Sequence, residues 1–154
     1  GIDELSMSPS KIAVVSNLIA KLEAASEECE FLGAPADGEV VEMSMIPDPA
    51  FSGGMLGRCI GVEPSGPDVY SPCDGLVTMV AETGHAIGIK SDLGSEILLH
   101  VGIDTVSLNG RGFSVLTKEN ARVKKGEKIL EADIEGIRAA GLSAMVIMAV
   151  KEEV

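Results

Sequence analysis

Thr83-Gly84-His85-Ala86-Ile87-Gly88-Ile89-Lys90, then Ser91-Asp92-Leu93-Gly94, then Ser95-Glu96-Ile97-Leu98-Leu99-His100-Val101-Gly102-Ile103: this run carries both histidines of the chain. Two apolar segments of strand length around Ser-Asp-Leu-Gly predict a β-hairpin. With a four-residue loop, Lys90 pairs with Ser95, and counting down the ladder sets His85 directly opposite His100. Opposed residues have Cβ atoms roughly 4.5–5.5 Å apart and share a face, so the two imidazoles are expected in one site bordered by Ile87 and Leu98. A bulge at Gly94 that shortened the loop to three residues would send the rings to opposite faces. The longer loop is the expected one, because it gives the pair a chemical purpose.

Imidazole among apolar residues costs free energy unless its nitrogens are satisfied. A lone histidine in such a run reads as a core residue; two facing each other, with no serine, cysteine or third metal ligand nearby, suit few reactions. Phosphoryl carriage is one. A neutral imidazole nitrogen attacks phosphorus while a second ring donates to the phosphoryl oxygens. Gly102 lets the backbone come close, and Thr83, two residues before His85 and so on the same strand face, is placed to fix that ring's tautomer.

Outward from the hairpin, the chain beyond Gly33 consists of short apolar runs divided by Gly, Pro and Asp, the pattern of an all-β sandwich or barrel. Pro35-Ala36-Asp37-Gly38-Glu39-Val40-Val41 is echoed by Pro72-Cys73-Asp74-Gly75-Leu76-Val77, and each Asp-Gly predicts a tight turn before a strand. Val123 to Leu130 predicts a hairpin with Gly126 at its tip, Ile134 to Ala140 a short helix, and Ala144 to Val150, apolar on both faces, a buried central strand. Ile12, Val15, Ile19 and Leu22 predict an amphipathic helix from Ser8 to about Phe31, acidic towards its end.

The 154 residues suffice for one domain with a proper core. With no Trp, one Tyr and three Phe, the core must be aliphatic and base-stacking platforms are scarce. A net charge of −12 argues further against nucleic acid and suits a basic protein partner. Cys29, Cys59 and Cys73 show no paired spacing, which predicts free thiols in a reducing compartment. No apolar run approaches the roughly twenty residues of a membrane helix, so the expected location is cytoplasmic.

Gly94-Ser95-Glu96-Ile97-Leu98-Leu99-His100-Val101-Gly102-Ile103-Asp104-Thr105-Val106 resembles, over its full length, the active-site signature of the glucose-type EIIA domain of the bacterial phosphoenolpyruvate-dependent sugar phosphotransferase system. Glu82-Thr83-Gly84-His85-Ala86 is similar to that family's second-histidine segment, Leu108 to Phe113 continues the likeness, and Pro47 to Phe51 with Met55 to Gly57 resembles the loop flanking the site. The resemblance implies a phosphorylated His100 carrying the group on Nε2, a supporting His85 and an orienting Thr83. It also implies a docking rim of Asp48 and Asp104, with Gly102 beside it and an apolar ring of Phe51, Ile87, Leu98 and Val101. The implied partners are the HPr carrier as donor and a cysteine of an EIIB domain as acceptor, with no cofactor or metal, and with the membrane reached only through the cognate permease. Arg58-Cys59 departs from the family's usual Asp-Gly.

The expected fold is therefore an antiparallel β-sandwich of the barrel-sandwich type with an N-terminal helical extension. Residues 1–32 are expected to be a tag remnant (Gly1 to Ser6) plus a helix or linker, and residues 33–154 the EIIA-like domain, with the family's last strand expected to be missing. The alternatives are a two-histidine zinc-binding hydrolase-like or regulatory binding module, a lipoyl- or biotin-carrying module, and a pure binding protein in which both histidines are structural. Catalytic zinc needs three protein ligands, and related peptidases place a histidine where Gly102 stands. Lys124 and Lys125 lack the apolar flanks of a lipoyl lysine.

Overall fold

The computed structural model describes residues 31–151. The helix expected from Ser8 and the tag remnant expected before it fall on residues outside those described. Nine strands are described: β1 (Ala36–Glu42), β2 (Arg58–Tyr70), β3 (Gly75–Val80), β4 (Ala86–Ser91), β5 (Glu96–Val101), β6 (Phe113–Val115), β7 (Arg122–Val123), β8 (Lys128–Ala132) and β9 (Val146–Lys151). Every pairing is antiparallel, in the order β6-β8-β2-β9-β5-β4-β3-β7, with β1 beside β2. The sheet curls into the expected antiparallel β-sandwich of the barrel-sandwich type.

Strand β2 turns the corner between the layers. Its first part, Arg58 to Val62, pairs with β9, and its last part, Asp68 to Tyr70, pairs with β8. Pro64, Gly66 and Pro67 fall between these parts, where missing N–H donors and a missing side chain weaken continuous pairing.

The side-chain period of two divides the apolar residues into two bodies. Ile97, Leu99 and Val101 of β5, Val146, Met148 and Val150 of β9, and Ile87 and Ile89 of β4 face the main core. Ile147 and Ala149 of β9 point the other way, joining Cys59, Met145, Ile46 and Phe51 in a smaller buried cluster, with Leu98 packed against it. A 3-10 turn (Met43–Met45) and helix α1 (Pro49–Ser52) supply the cover for this second cluster. The apolar run near the C-terminus is thus the expected central strand, buried on both faces between β2 and β5. The short helix is also found, as α2 (Ile134–Ala139).

Three local expectations are corrected. Neither Asp-Gly is a tight turn. Gly38 lies within β1, beside a register shift, where a Cβ would strike the Glu63 carbonyl; Gly75 opens β3, where a Cβ would strike the Lys90 carbonyl. These glycines permit close strand approach. Residues around Gly126 do turn, with the Glu127 amide donating to the Lys124 carbonyl at 2.9 Å. They form no hairpin, because β7 pairs with β3 while β8 pairs with β2 and β6.

The third correction concerns the β4–β5 register. Lys90 pairs with Glu96 and Ala86 with His100, so the loop is the three-residue Asp92-Leu93-Gly94, with Gly94 at φ 101°. That is the bulged form, a turn closed by a glycine at positive φ. His100 is therefore opposite Ala86 and not His85.

Candidate functional site

Despite that register, the two imidazoles meet: their ring centroids lie 5.0 Å apart at an interplanar angle of 81°. Strand β4 begins at Ala86, so the strict alternation that would send its side chains inward and outward does not bind His85. The residue sits in the turn entering the strand, after Gly84 at φ 76°, with its carbonyl accepting from the Val101 amide at 2.8 Å. The turn, and not the ladder, aims the ring across to His100.

His100 is on the outward face of β5, above the smaller cluster. Its Nδ1 lies 2.7 Å from the Gly102 carbonyl oxygen. A carbonyl only accepts, so Nδ1 carries the proton and Nε2 of the neutral ring keeps its lone pair. Burial holds His100 below the usual histidine range, against the opposing pull of the Gly102 hydrogen bond and the Asp48 and Asp104 charges. Burial, then the neighbouring His100, lowers His85 as well. Both rings are thus biased towards the neutral form, the form in which Nε2 of His100 is a nucleophile.

Thr83 Oγ1 lies 2.6 Å from His85 Nδ1. A hydroxyl donating there leaves the hydrogen of His85 on Nε2, free to donate to an incoming oxygen. The two rings then have complementary tautomers, one presenting a lone pair and the other an N–H.

Helix α1 brings Phe51 to 5.2 Å from the His100 ring, tilted by 57°. Asp48 is its N-cap, accepting from the Ala50 amide at 2.9 Å, and Pro49 fits the first turn. Asp48 thus fixes the segment that holds Phe51 and also places a charge near His100. Asp104, exposed, follows the site in a left-handed conformation (φ 61°) and precedes a 3-10 turn, Thr105–Leu108.

Of the anticipated residues, the structure brings together His100, His85, Thr83, Phe51 and Gly102, with Leu98 on the same strand face as His100 and Asp48 and Asp104 nearby. Ile87 and Val101 do not belong to a ring around the histidines. Each is 1 % exposed and faces the main core, because Ile87 pairs with Leu99 and Val101 directly follows His100 on its strand. The sequence reading missed Phe113, whose ring lies 6.5 Å from that of His85, and the floor made by Ile46, Cys59, Met145 and Ile147. Scarcity was a usable signal for Phe113, one of three phenylalanines in the chain. Among the described residues no group of three or more His, Cys, Asp or Glu side chains could hold a metal ion.

A curled antiparallel sheet that supports two imidazoles side by side, one with its Nδ1 held by a backbone carbonyl, defines a domain built around a two-histidine site. The sequence model of the phosphoenolpyruvate-dependent sugar phosphotransferase system, EIIA 1, matches residues 30–154, and the chain belongs to this family. It is 46 % identical over 114 residues to a PTS system beta-glucoside-specific EIIBCA component of Halalkalibacterium halodurans, and 44 % identical over 112 residues to that of Bacillus subtilis. These alignments cover 74 % and 73 % of this chain but 18 % of each relative's length. The fold is similar to the glucose permease IIA from Mycoplasma capricolum, with a TM-score of 0.75, 32 % identity and 79 % of each chain covered.

Proposed function

We propose that this domain carries phosphate between two proteins of a sugar phosphotransferase system, accepting it on His100 from the phosphohistidine of HPr and giving it to a cysteine of an EIIB domain. The observation that carries the reading is the Nδ1 to Gly102 hydrogen bond, which leaves Nε2 of His100 as the free lone pair beside a second imidazole. In the first step Nε2 attacks phosphorus, a new N–P bond forms, and the donor's N–P bond breaks with its electron pair returning to the donor ring. In the second step a cysteine thiolate attacks the same phosphorus and His100 leaves with the N–P electron pair. In this second step His85 Nε2–H donates to the phosphoryl oxygens, where charge is spread in the transition state.

Asp48, Asp104 and the net charge of −12 favour a basic docking face, while Phe51 and Leu98 exclude water from the transfer geometry. Both relatives are named as EIIBCA components, which supports an EIIB domain as the acceptor. No described helix is long and apolar enough to cross a membrane. We place the domain in the cytoplasm, reaching the membrane only through its permease.

Single-turnover transfer from phospho-HPr tests this reading. His100→Ala should show no acid-labile labelling. His85→Ala should still accept phosphate but donate to EIIB about a hundred- to a thousandfold more slowly, the usual cost of losing one transition-state donor, and His85→Gln should retain more activity than alanine. Labelling that survives in His100→Ala and vanishes in His85→Ala would reverse the roles.

A further inference from the structure

The transfer chemistry above asks only that His100 Nδ1 find an acceptor. What holds that acceptor in place is a separate matter, and one buried polar side chain stands out. Thr105 is fully buried, and among the described residues the buried polar or charged side chains are Ser71, Ser91 and Thr105. Its Oγ1 donates to the carbonyl of Val101, closing the turn that follows β5. Its Cγ2 packs where a Cβ on Gly102 would lie, and Gly102 itself has φ 78°.

The peptide between Gly102 and Ile103 is gripped from both ends. Its carbonyl faces His100 Nδ1 at 2.7 Å, and its N–H, on Ile103, donates to the Ser143 carbonyl at 3.1 Å. The preceding amide, on Gly102, donates to the Met145 carbonyl at 2.7 Å. Hydrogen bonds in a row polarise one another, so Ser143, the peptide and the imidazole form a chain that makes the Gly102 oxygen a better acceptor. The free conformational choice in this turn is glycine's, since Gly102 tolerates orientations that other residues resist. Thr105 removes that choice, fixing the Val101 carbonyl from one side and filling the space above Gly102 from the other.

We propose that Thr105 is a positioning residue: it clamps the turn so that the Gly102 carbonyl always faces His100 Nδ1, which keeps the ring's proton there and its reactive lone pair on Nε2. Thr105 touches neither phosphate nor partner. Its effect passes through the peptide to the tautomer of His100. The proposal rests on the reading of His100 as the phosphoryl acceptor, yet its primary readout is the free protein and needs no donor.

The test is the ¹⁵N spectrum of the His100 ring in the whole chain, recorded at mildly alkaline pH, in wild type and in Thr105→Val, Thr105→Ser and Thr105→Cys. Protonated and unprotonated ring nitrogens differ widely in shift, so the spectrum reports the tautomer directly. Thr105→Val keeps the shape and loses the donor; it should turn a nearly pure Nδ1–H ring into a mixture. In metal sites, losing the group that orients an imidazole costs about 10–100-fold in function, and acceptance from phospho-HPr should slow by a similar factor. Thr105→Ser restores the hydroxyl and should recover both the tautomer and most of the rate. If the valine variant does not fold, the weaker thiol donor of Thr105→Cys decides, and a tautomer mixture less pure in Nδ1–H than that of the serine variant is expected. A wild-type tautomer in a folded valine variant, or in the cysteine variant where valine fails, overturns the proposal. Absence of any label on wild-type His100 would instead overturn the carrier reading and leave the tautomer result standing.

Discussion

Leu98 and Leu99 are neighbours on β5, yet they serve different bodies of the molecule. Leu99, 1 % exposed, is locked in the main core with Ile97, Val101 and the inner residues of β4 and β9. Leu98, half-buried, packs against the smaller cluster of Ile46, Phe51, Cys59, Met145, Ile147 and Ala149, beneath the His100 ring. The main core is sealed between sheet layers. Among the described residues the smaller cluster is covered by a 3-10 turn and a four-residue helix, with Val41 and Ile103 packed against it. Labour is divided between the faces: one face of the central strands holds the fold, and the other holds a partly open site that combines apolar support with access.

The largest difference between the faces should appear on truncating the two leucines. Leu99→Ala should cost about 2–5 kcal/mol, from lost burial plus the cavity it leaves, read from urea unfolding. Leu98→Ala should cost about 1 kcal/mol, since its side chain is only partly buried, while slowing transfer severalfold through poorer docking. Equal stability losses with unchanged transfer would erase the proposed division.

Acid should weaken the molecule through its site face. Both histidines titrate below their ordinary range, mainly through burial, so as pH falls through about 6.5 the unfolded chain takes up protons first. The unfolded state then binds more protons than the folded one, and stability declines as pH falls towards the folded values. The urea midpoint should therefore be lower at about pH 5.5 than at about pH 7.5, and a His85→Gln/His100→Gln double variant should show a smaller decline. A decline unchanged in the double variant would move its origin to other groups. Smallest in effect is the edge of the cover. Asp48→Ala should lose the cap of α1 and about 1 kcal/mol, whereas Asp48→Asn keeps a cap of similar strength. Both should slow association with a basic donor, and raising salt should shrink the difference from wild type.

The sequence made the fold class, the central strand at Val146–Lys151 and the histidine pair legible, because each depends on composition or on residues close in the chain. Register was the harder quantity. Taking a four-residue loop placed Ile87 opposite Leu98 and so on the histidine face; the bulged loop with Gly94 at φ 101° sets it opposite Leu99 and turns it inward. A one-residue slip reverses every face. The same slip would have separated the histidines, had His85 been part of the regular ladder; its place in a turn is what rescued the pair. Val101 needed no structure to be questioned, since it adjoins His100 on one strand and must face away from it. The floor of the site drew on residues 46, 51, 59, 145 and 147, which only the long-range pairing of β2, β9 and β5 brings together, so no local pattern could announce it.

The assignment of Nε2 as the phosphate-bearing atom rests on the Gly102 carbonyl, which holds the proton of His100 on Nδ1. Multinuclear NMR of the ¹⁵N-histidine protein, phosphorylated by phospho-HPr, reads the attachment atom through its phosphorus–nitrogen coupling and ring shifts. One phosphorylated ring is expected, that of His100, bonded through Nε2, with Nδ1 still protonated. Phosphate on Nδ1 of His100, or on His85, would contradict the assignment.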